Sequence, residues 1–495
     1  MLYLLITCVG VFALSFATAL AVTPWVGRLA RRIGAVDEPG PRKIHAVSKP
    51  RLGGVGLYLA CLVPIAVAHI VYVCGNEFMA GVLREEVLQL WVITILSGGI
   101  LLLGVYDDMK GVRVWPKLVV EVVAALVLYA MHIRFSYVTN PFGGPSIALG
   151  WLSPIATVLW VVGVSNAINF LDGVDGLAAG VAAFAGLTIC VGSLQAGEVV
   201  PAILALAAAG AAIGFLRYNF PPARIFMGDS GSLFLGFFLA TISLKALLKG
   251  TTAVSILLPM VALGVPIWDS LLAVTRRAMD GRSIFSADDG HVHHRLLHLG
   301  LTQRQVALTL YGVTVLLCAA AIALMFLRRA EAVLILAILG AFGYVTSRWL
   351  GSHLPRLRMS GTFEGNCIDR LAARLAMTEA PRRRWQMLCS TLDTLGIVSA
   401  EFVRDHEEED MDEIGAKSWR IENVDGAAPF SVRILVAGRP AGRFMLRWAE
   451  EDSAQRELRV DVTRRVGELF AEHFGGPGSA MGPVEDDKSH DGKPA

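Results

Sequence analysis

Apolar stretches close to the length of a bilayer crossing recur along the whole chain, and they limit its fold more than any other feature. A membrane-spanning helix needs about 20 mostly apolar residues. Stretches of this kind lie near residues 2–23, 53–74, 88–105, 117–132, 152–169, 174–193, 200–216, 231–248, 253–275, 306–327 and 331–350. Backbone in lipid must satisfy its own hydrogen bonds, so such a series implies a helical bundle. Some stretches are short, and one pair could equally form broken or re-entrant helices. Composition agrees: 54% of the 495 residues are hydrophobic and the mean hydropathy is +0.57, too apolar for an ordinary soluble protein. Met1 to Val22 has no basic residue at its start, so it reads as a retained first span and not as a cleaved signal.

Loop charges orient the bundle. The first loop carries Arg28, Arg31, Arg32, Arg42, Lys43, Lys49 and Arg51, whereas the next has Arg84 against Glu77, Glu85 and Glu86. Alternate loops continue the basic set with Lys110, Arg113 and Lys117, then Arg217 and Arg224, then Arg276, Arg277, Arg282, Arg295 and Arg304. Basic loops stay in the cytoplasm, which puts the N-terminus outside and the C-terminus inside. Lys245, Lys249, Arg328 and Arg329 dilute the contrast. Overall the 44 Lys and Arg nearly balance 42 Asp and Glu, which excludes a strongly basic nucleic-acid binder. The seven cysteines form no CxxC, so neither a disulfide framework nor a zinc site is indicated.

After Leu350 the chain becomes charged. Helices are expected near 364–378 and 381–397, strands near 418–423, 430–437 and 441–448, and a helix near 453–473. The expected organisation is an all-α polytopic membrane domain of about eleven spans over 1–350. A small cytoplasmic α+β domain follows over 351–474, then a disordered tail over 475–495.

Five polar clusters interrupt this apolar background, all in loops assigned to the cytoplasm. The first, RKIHAVSKPRLGG, sets Lys43, His45, Lys49 and Arg51 before a Gly-Gly that opens a span; basic groups there suit phosphate or merely mark topology. The second is Asp107-Asp108, with Lys110, Arg113 and Lys117 close by. Adjacent carboxylates can hold Mg²⁺ with its waters and a phosphate, or one can act as a base. The third, NAINFLDGVDGLAAG, repeats Asn166, Asn169, Asp172 and Asp175 every third residue, a slanted stripe if helical, with Gly173 and Gly176 interrupting it. The fourth, FMGDSGS, offers Asp229 and two hydroxyls on a turn leading into a helix, fit for a metal with a phosphate or for an N-cap. The fifth, DDGHVHHR, carries His291, His293, His294 and Arg295, with His298 beyond; donors to phosphate fit this loop better than zinc.

RKIHAVSKPRLGG, the Asp107-Asp108 pair, NAINFLDGVDGLAAG, FMGDSGSLFLGF and HVHHRLLHLGLTQRQ, in that order, resemble the polyprenyl-phosphate N-acetylhexosamine-1-phosphate transferase family of membrane enzymes. The His-Val-His-His form at 291–294 is similar to the branch that uses UDP-N-acetylglucosamine. The resemblance does not extend to the chain after Leu350. It implies transfer of a sugar phosphate from a UDP-sugar to a polyprenyl phosphate at the cytoplasmic face of the inner membrane, with Mg²⁺, or Mn²⁺ in its place. It further implies that Asp107, Asp108, Asp172 and Asp175 serve the chemistry and that Asp229, with Asn169 helping, holds the metal. Lys43, His45, Lys49, Arg51, Asn166, Asn169, His291, His293, His294 and Arg295 would bind substrate. A homodimer and a protein partner for the C-terminal domain are left open. The rival outside the family is an anion transporter, but polar sites crowded at one face and the lack of a repeat speak against it.

Overall fold

A computed structural model describes residues 2–37, 48–138, 147–247, 257–279 and 291–327, with shorter pieces between 331 and 486. Lys43 and His45 lie outside the described residues. The chain divides into two compact units, residues 1–38 with 45–351 and residues 39–44 with 352–495.

The first unit is a helical bundle. Its helices are α1 (Leu2–Arg32), α2 (Gly53–Val73), α3 (Glu77–Leu83), α4 (Val87–Lys110), α5 (Val114–Ala130), α6 (Ser153–Leu171) and α7 (Leu177–Gln195), followed by α8 (Val199–Asn219), α9 (Gly228–Leu247), α10 (Leu257–Ala262), α11 (Gly264–Met279), α12 (Val292–His298) and α13 (Gln303–Leu324). Two short antiparallel ladders join them: β1 (Val36–Asp37) with β2 (Lys49–Pro50), and β3 (Tyr137–Val138) with β4 (Ile147–Ala148).

Among the described residues seven helices are long and apolar enough to cross a membrane: α1, α2, α4, α6, α7, α8 and α13. The expected count of about eleven is therefore not reached by that measure. The span expected at 253–275 is divided at Leu263 into α10 and α11, the broken-helix alternative. The one expected at 331–350 falls largely outside the described residues. Helix α5 has only 17 residues, and α9 opens with the polar Gly-Asp-Ser-Gly-Ser turn.

Small side chains decide which helices lie inside. The Ala- and Gly-rich α7 and α8 have 78% of their spanning windows buried, against 17% for α1. Alanines let neighbouring backbones approach closely where no hydrophobic effect separates helix from lipid. The outer helices instead present large apolar side chains, such as Leu5 and Val9 on α1, Ile95 and Leu102 on α4, and Leu316 on α13. Helices α4 and α9 run antiparallel: Asp108 at the end of α4 meets the start of α9, while Lys245 near the end of α9 reaches Glu86 at the start of α4.

In the second unit the described residues form a five-stranded antiparallel sheet in the order β6-β5-β8-β7-β9. Its strands are β5 (Ile397–Arg404), β6 (Ser418–Arg420), β7 (Pro429–Val436), β8 (Arg439–Trp448) and β9 (Ser479–Asp486). Strand β9 lies in the stretch expected to be a disordered tail and pairs with β7. Strand β5 was not foreseen in the sequence. The helices expected near 364–378 and 381–397, and almost all of that near 453–473, lie outside the described residues.

Candidate active site

Close backbone packing builds the site. Gly53 and Gly54 at the start of α2 donate their N–H groups to Phe226 and Met227 at 3.0 Å each, and Phe226 donates to Pro50 at 2.8 Å. This stitches the Arg51 loop to the segment that opens α9. A Cβ on Gly104 of α4 would collide with the backbone of Ser230, so only glycine lets α4 lie against the start of α9. Gly228 adopts φ +71°, a left-handed conformation that glycine takes without strain, and it starts α9 against Arg51 and Asp108.

Asp108 is wholly buried and accepts the N–H groups of Asp229 (2.9 Å) and Ser230 (3.1 Å). A carboxylate on the free N–H groups of a helix start satisfies orphan donors and complements the helix dipole. Arg51 lies beside it, with Nε 3.6 Å from Asp108 Oδ1 and a second nitrogen 3.3 Å from Asp37 Oδ1. The preceding residue on α4, Asp107, accepts the Val112 N–H and pairs with Lys117 of α5. Lys117 also donates to Asp229 Oδ2 at 2.8 Å. Lys117 thus bridges Asp107 and Asp229, and Asp229, whose side chain is 27% exposed, is the most open of the three carboxylates. The sequence showed this lysine near the pair but gave no sign that it would join carboxylates from two distant motifs.

The Asn166–Gly180 stretch is not one helical stripe. Helix α6 stops at Leu171 with Asp172 as its C-cap, and α7 starts only after Gly176, at φ +76°. Backbone satisfaction explains the break: the Gly176 N–H is taken by Asn219 Oδ1 at 3.1 Å instead of a helical carbonyl. The four polar residues consequently part ways. Asn166 turns away to Glu121, a fully buried carboxylate on α5, and to the carbonyl of Val162. Asn169 donates to Ser232 of α9 at 2.9 Å, which leaves its amide oxygen as an acceptor at the site. Asp175 accepts the Ala223 N–H at 2.8 Å and pairs with Lys49 at 3.5 Å, and Lys49 lies over the Phe226 ring. Asp172 accepts no hydrogen bond among the described residues. Desolvation, then the charges of Asp229, Asp108 and Asp175, hold its carboxyl well above the usual carboxylate range.

The histidines meet the same loop from the other side. His291 is the N-cap of α12, and its Nδ1 lies 3.0 Å from Asp269 Oδ2 on α11. Its ring stacks on His293, and His293 packs against Gly173, next to Asp172. The buried His293 is pushed down to about 3 by desolvation and by His294, and neither ring nitrogen has a protein partner among the described residues. Arg295 lies on α12 beside them, while the side chain of His298 is outside the described residues. Asp269 was overlooked in the sequence. A lone carboxylate in VPIWDSLLAV, inside an apolar stretch, was the signal that could have found it, as was Glu121 in LVVEVVAAL.

The donor set suits a hard divalent cation. It offers carboxylate oxygens and one amide oxygen, with no thiolate among the described groups. Three carboxylates, Asp107, Asp108 and Asp229, face the two cations Lys117 and Arg51. No three His, Cys, Asp or Glu among the described residues converge tightly enough to enclose a metal alone. That disfavours zinc but not Mg²⁺, which is often held by one or two carboxylates together with waters and substrate phosphates.

The sequence profile described as glycosyl transferase family 4 matches residues 90–247. A probable undecaprenyl-phosphate N-acetylglucosaminyl 1-phosphate transferase of Bacillus subtilis (strain 168) is 38% identical over 307 residues, 62% of this chain and 82% of that protein. The chain belongs to glycosyl transferase family 4. It is a sugar-phosphate transferase with several membrane-spanning helices. A decaprenyl-phosphate N-acetylglucosaminephosphotransferase of Mycobacterium leprae (strain TN) is 37% identical over 319 residues, 60% of this chain and 77% of that protein. A phospho-N-acetylmuramoyl-pentapeptide-transferase of Bacillus subtilis (strain 168) is 32% identical over 330 residues, 63% and 95%. The profile spans the stretch from α4 through α9, so it contains Asp107, Asp108, Lys117, Asn169, Asp172, Asp175 and Asp229.

Proposed function

We propose that the protein transfers N-acetylglucosamine 1-phosphate from UDP-N-acetylglucosamine to undecaprenyl phosphate at the cytoplasmic face of the inner membrane. The convergence of Asp107, Asp108 and Asp229 on Lys117 and Arg51 carries this reading, because two anionic phosphates must meet there. An oxygen of the lipid phosphate forms a bond to the β-phosphorus of the UDP-sugar. The bond from that phosphorus to the UMP oxygen breaks, and UMP leaves with the electron pair. A phosphate monoester has its second pKa near about 6, so the lipid phosphate needs little help to lose a proton. Asp107 therefore orients the nucleophile, through Lys117, more than it removes a proton.

Asp229, with the amide oxygen of Asn169, would hold Mg²⁺ or Mn²⁺. Bound there, the cation would neutralise charge on the pyrophosphate. Asp108 fixes the start of α9 and Arg51. Lys49 would approach the nucleotide, Asp172 and Asp175 would line the nucleotide or sugar pocket, and His291, His293, His294 and Arg295 would hold phosphate or sugar. The basic loops and the one-sided site support an outside N-terminus and a cytoplasmic site.

The His-Val-His-His form at 291–294 and the relatives named for N-acetylglucosamine favour that sugar. The relative named for a muramoyl-pentapeptide keeps that substrate as the second reading. Purified protein in lipid with Mg²⁺ and undecaprenyl phosphate, offered a panel of UDP-sugars, decides between them. UMP release with UDP-N-acetylglucosamine is expected, and release only with UDP-N-acetylmuramoyl-pentapeptide would replace it. UMP from no donor, with solute uptake instead, would revive the transporter.

A further inference from the structure

We propose that Asp269 is a positioning residue that fixes the ring of His291 with Nδ1 protonated and Nε2 presented as an acceptor for an O–H or N–H of the sugar. The inference rests on the functional reading above and deepens it. Asp269 is 4% exposed and uses both oxygens on one short segment. Oδ1 accepts the Val292 N–H at 2.8 Å, and Oδ2 lies 3.0 Å from His291 Nδ1. A carboxylate offers only acceptors, so the nitrogen facing it is the one that carries the proton.

The clamp reaches the site through packing. The His291 ring stacks nearly parallel on His293, at 8° and 5.8 Å between centroids, and lies against Phe170 near the end of α6. His293 Nε2 in turn packs so closely on Gly173 that a Cβ there would strike it. Gly173 adjoins Asp172, whose carboxyl feels the charges of Asp229 and Asp108. The orientation imposed by α11 is thus passed along the ring stack to the loop between α6 and α7. The two buried histidines receive different duties: His291 is tied to a carboxylate, whereas both nitrogens of His293 are without a protein partner among the described residues. Partners that orient metal-bound histidines typically change affinity or activity by roughly 10- to 100-fold when removed, and a loss of that order is expected for the same clamp on a substrate-facing ring.

Asp269→Asn tests the proposal. The amide can still accept the Val292 N–H, but it turns an N–H toward His291 and imposes the opposite tautomer. The expected result is a fall in kcat/KM for the UDP-sugar of at least about tenfold, partly recovered in Asp269→Glu. Combined with His291→Gln, the loss should be no greater than for His291→Gln alone. Nitrogen NMR of histidine-labelled protein, with the His291 signal assigned by its absence in His291→Gln, should show Nδ1–H in the parent and Nε2–H in Asp269→Asn. An unchanged tautomer, a kcat/KM within about twofold, or additive losses in the double variant would each overturn the assignment. The ring measurement needs no turnover. If the unsubstituted protein releases no UMP from any donor, the function falls while the role of Asp269 is still decided.

Discussion

Helices α4 and α9 carry ionisable groups at both ends, and the two ends do opposite things. At the end where α9 finishes, Lys245 is 3% exposed and meets Glu86 at 3.1 Å and Gln89, while Gln89 donates to the Met131 carbonyl. Lys245 faces the Glu86 carboxylate, and the neighbouring Gln89 amide ties the pair to the end of α5. At the end where α9 starts, Asp107, Asp108 and Asp229 crowd around Lys117 and Arg51. There, among the described residues, the carboxylates exceed the cations, Asp229 stays part exposed, and Asp172 is driven toward its protonated form. A matched buried pair adds little that a well-packed apolar pair would not. A mismatched cluster open to solvent has a use only if something cationic or phosphorylated completes it.

Substitutions can break that contrast. The largest effect belongs to the mismatched end: Asp229→Asn or Asp107→Asn should cut UMP release by ~10³-fold while leaving the purified protein's melting profile intact. Activity near the parent level in both would remove the site from this end. Lys117→Met should follow with a loss of about 10²-fold in kcat, since it unhooks Asp107 from Asp229 without emptying the pocket. Should the loss appear in the UDP-sugar KM alone, Lys117 binds substrate and does not organise the carboxylates.

The matched end should behave in the opposite way. Lys245→Met removes the ammonium that meets Glu86 and Gln89 and should destabilise the bundle by about 1 kcal/mol, seen as faster thermal inactivation, with kcat of the surviving enzyme unchanged. Adding Glu86→Gln should restore most of the lost stability. A kcat defect that persists in the double variant would mean that this end also serves turnover.

The smallest effect concerns pH. His293 sits near 3 in the fold, below the unfolded value of about 6.5. Between those values the unfolded chain takes up a proton that the folded chain refuses, so stability falls as pH drops from about 6.5 toward 3 and is unaffected above that window. His293→Gln should flatten this slope in melting experiments. A slope that is unchanged in the variant would assign it to other groups.

Parts of this site were plain in the sequence, because carboxylates, Gly-Gly and Gly-Asp-Ser-Gly-Ser stand out against apolar runs, where they are costly. Asp107, Asp108, Asp172, Asp175 and Asp229 were all singled out on that basis. The period-three pattern from Asn166 to Asp175 misled, since it assumed one continuous helix, whereas α6 ends at Leu171 and α7 begins only after Gly176, whose N–H is held by Asn219. Asn166 accordingly faces Glu121 and not the pocket. Asp269 and Glu121 went unread because each is a single carboxylate without a neighbouring motif. The edge strand β9 was hidden in a stretch whose polar, Gly- and Pro-containing composition resembles a tail.

Local chemistry by itself determined that this chain is a helical membrane protein with polar clusters set in its loops, since span length, loop charge and costly polar residues are all properties of short stretches. Only the tertiary structure decided which groups act together. Lys117 and Asp229 are 112 residues apart in sequence, yet 2.8 Å apart in space. Their meeting depends on the antiparallel packing of α4 and α9 and on the missing side chain at Gly104, which lets the start of α9 close on α4. Spacing along one helix can predict neighbours within a few turns. It carries no information about which helix lies opposite, and the charge balance of the site depends on that choice.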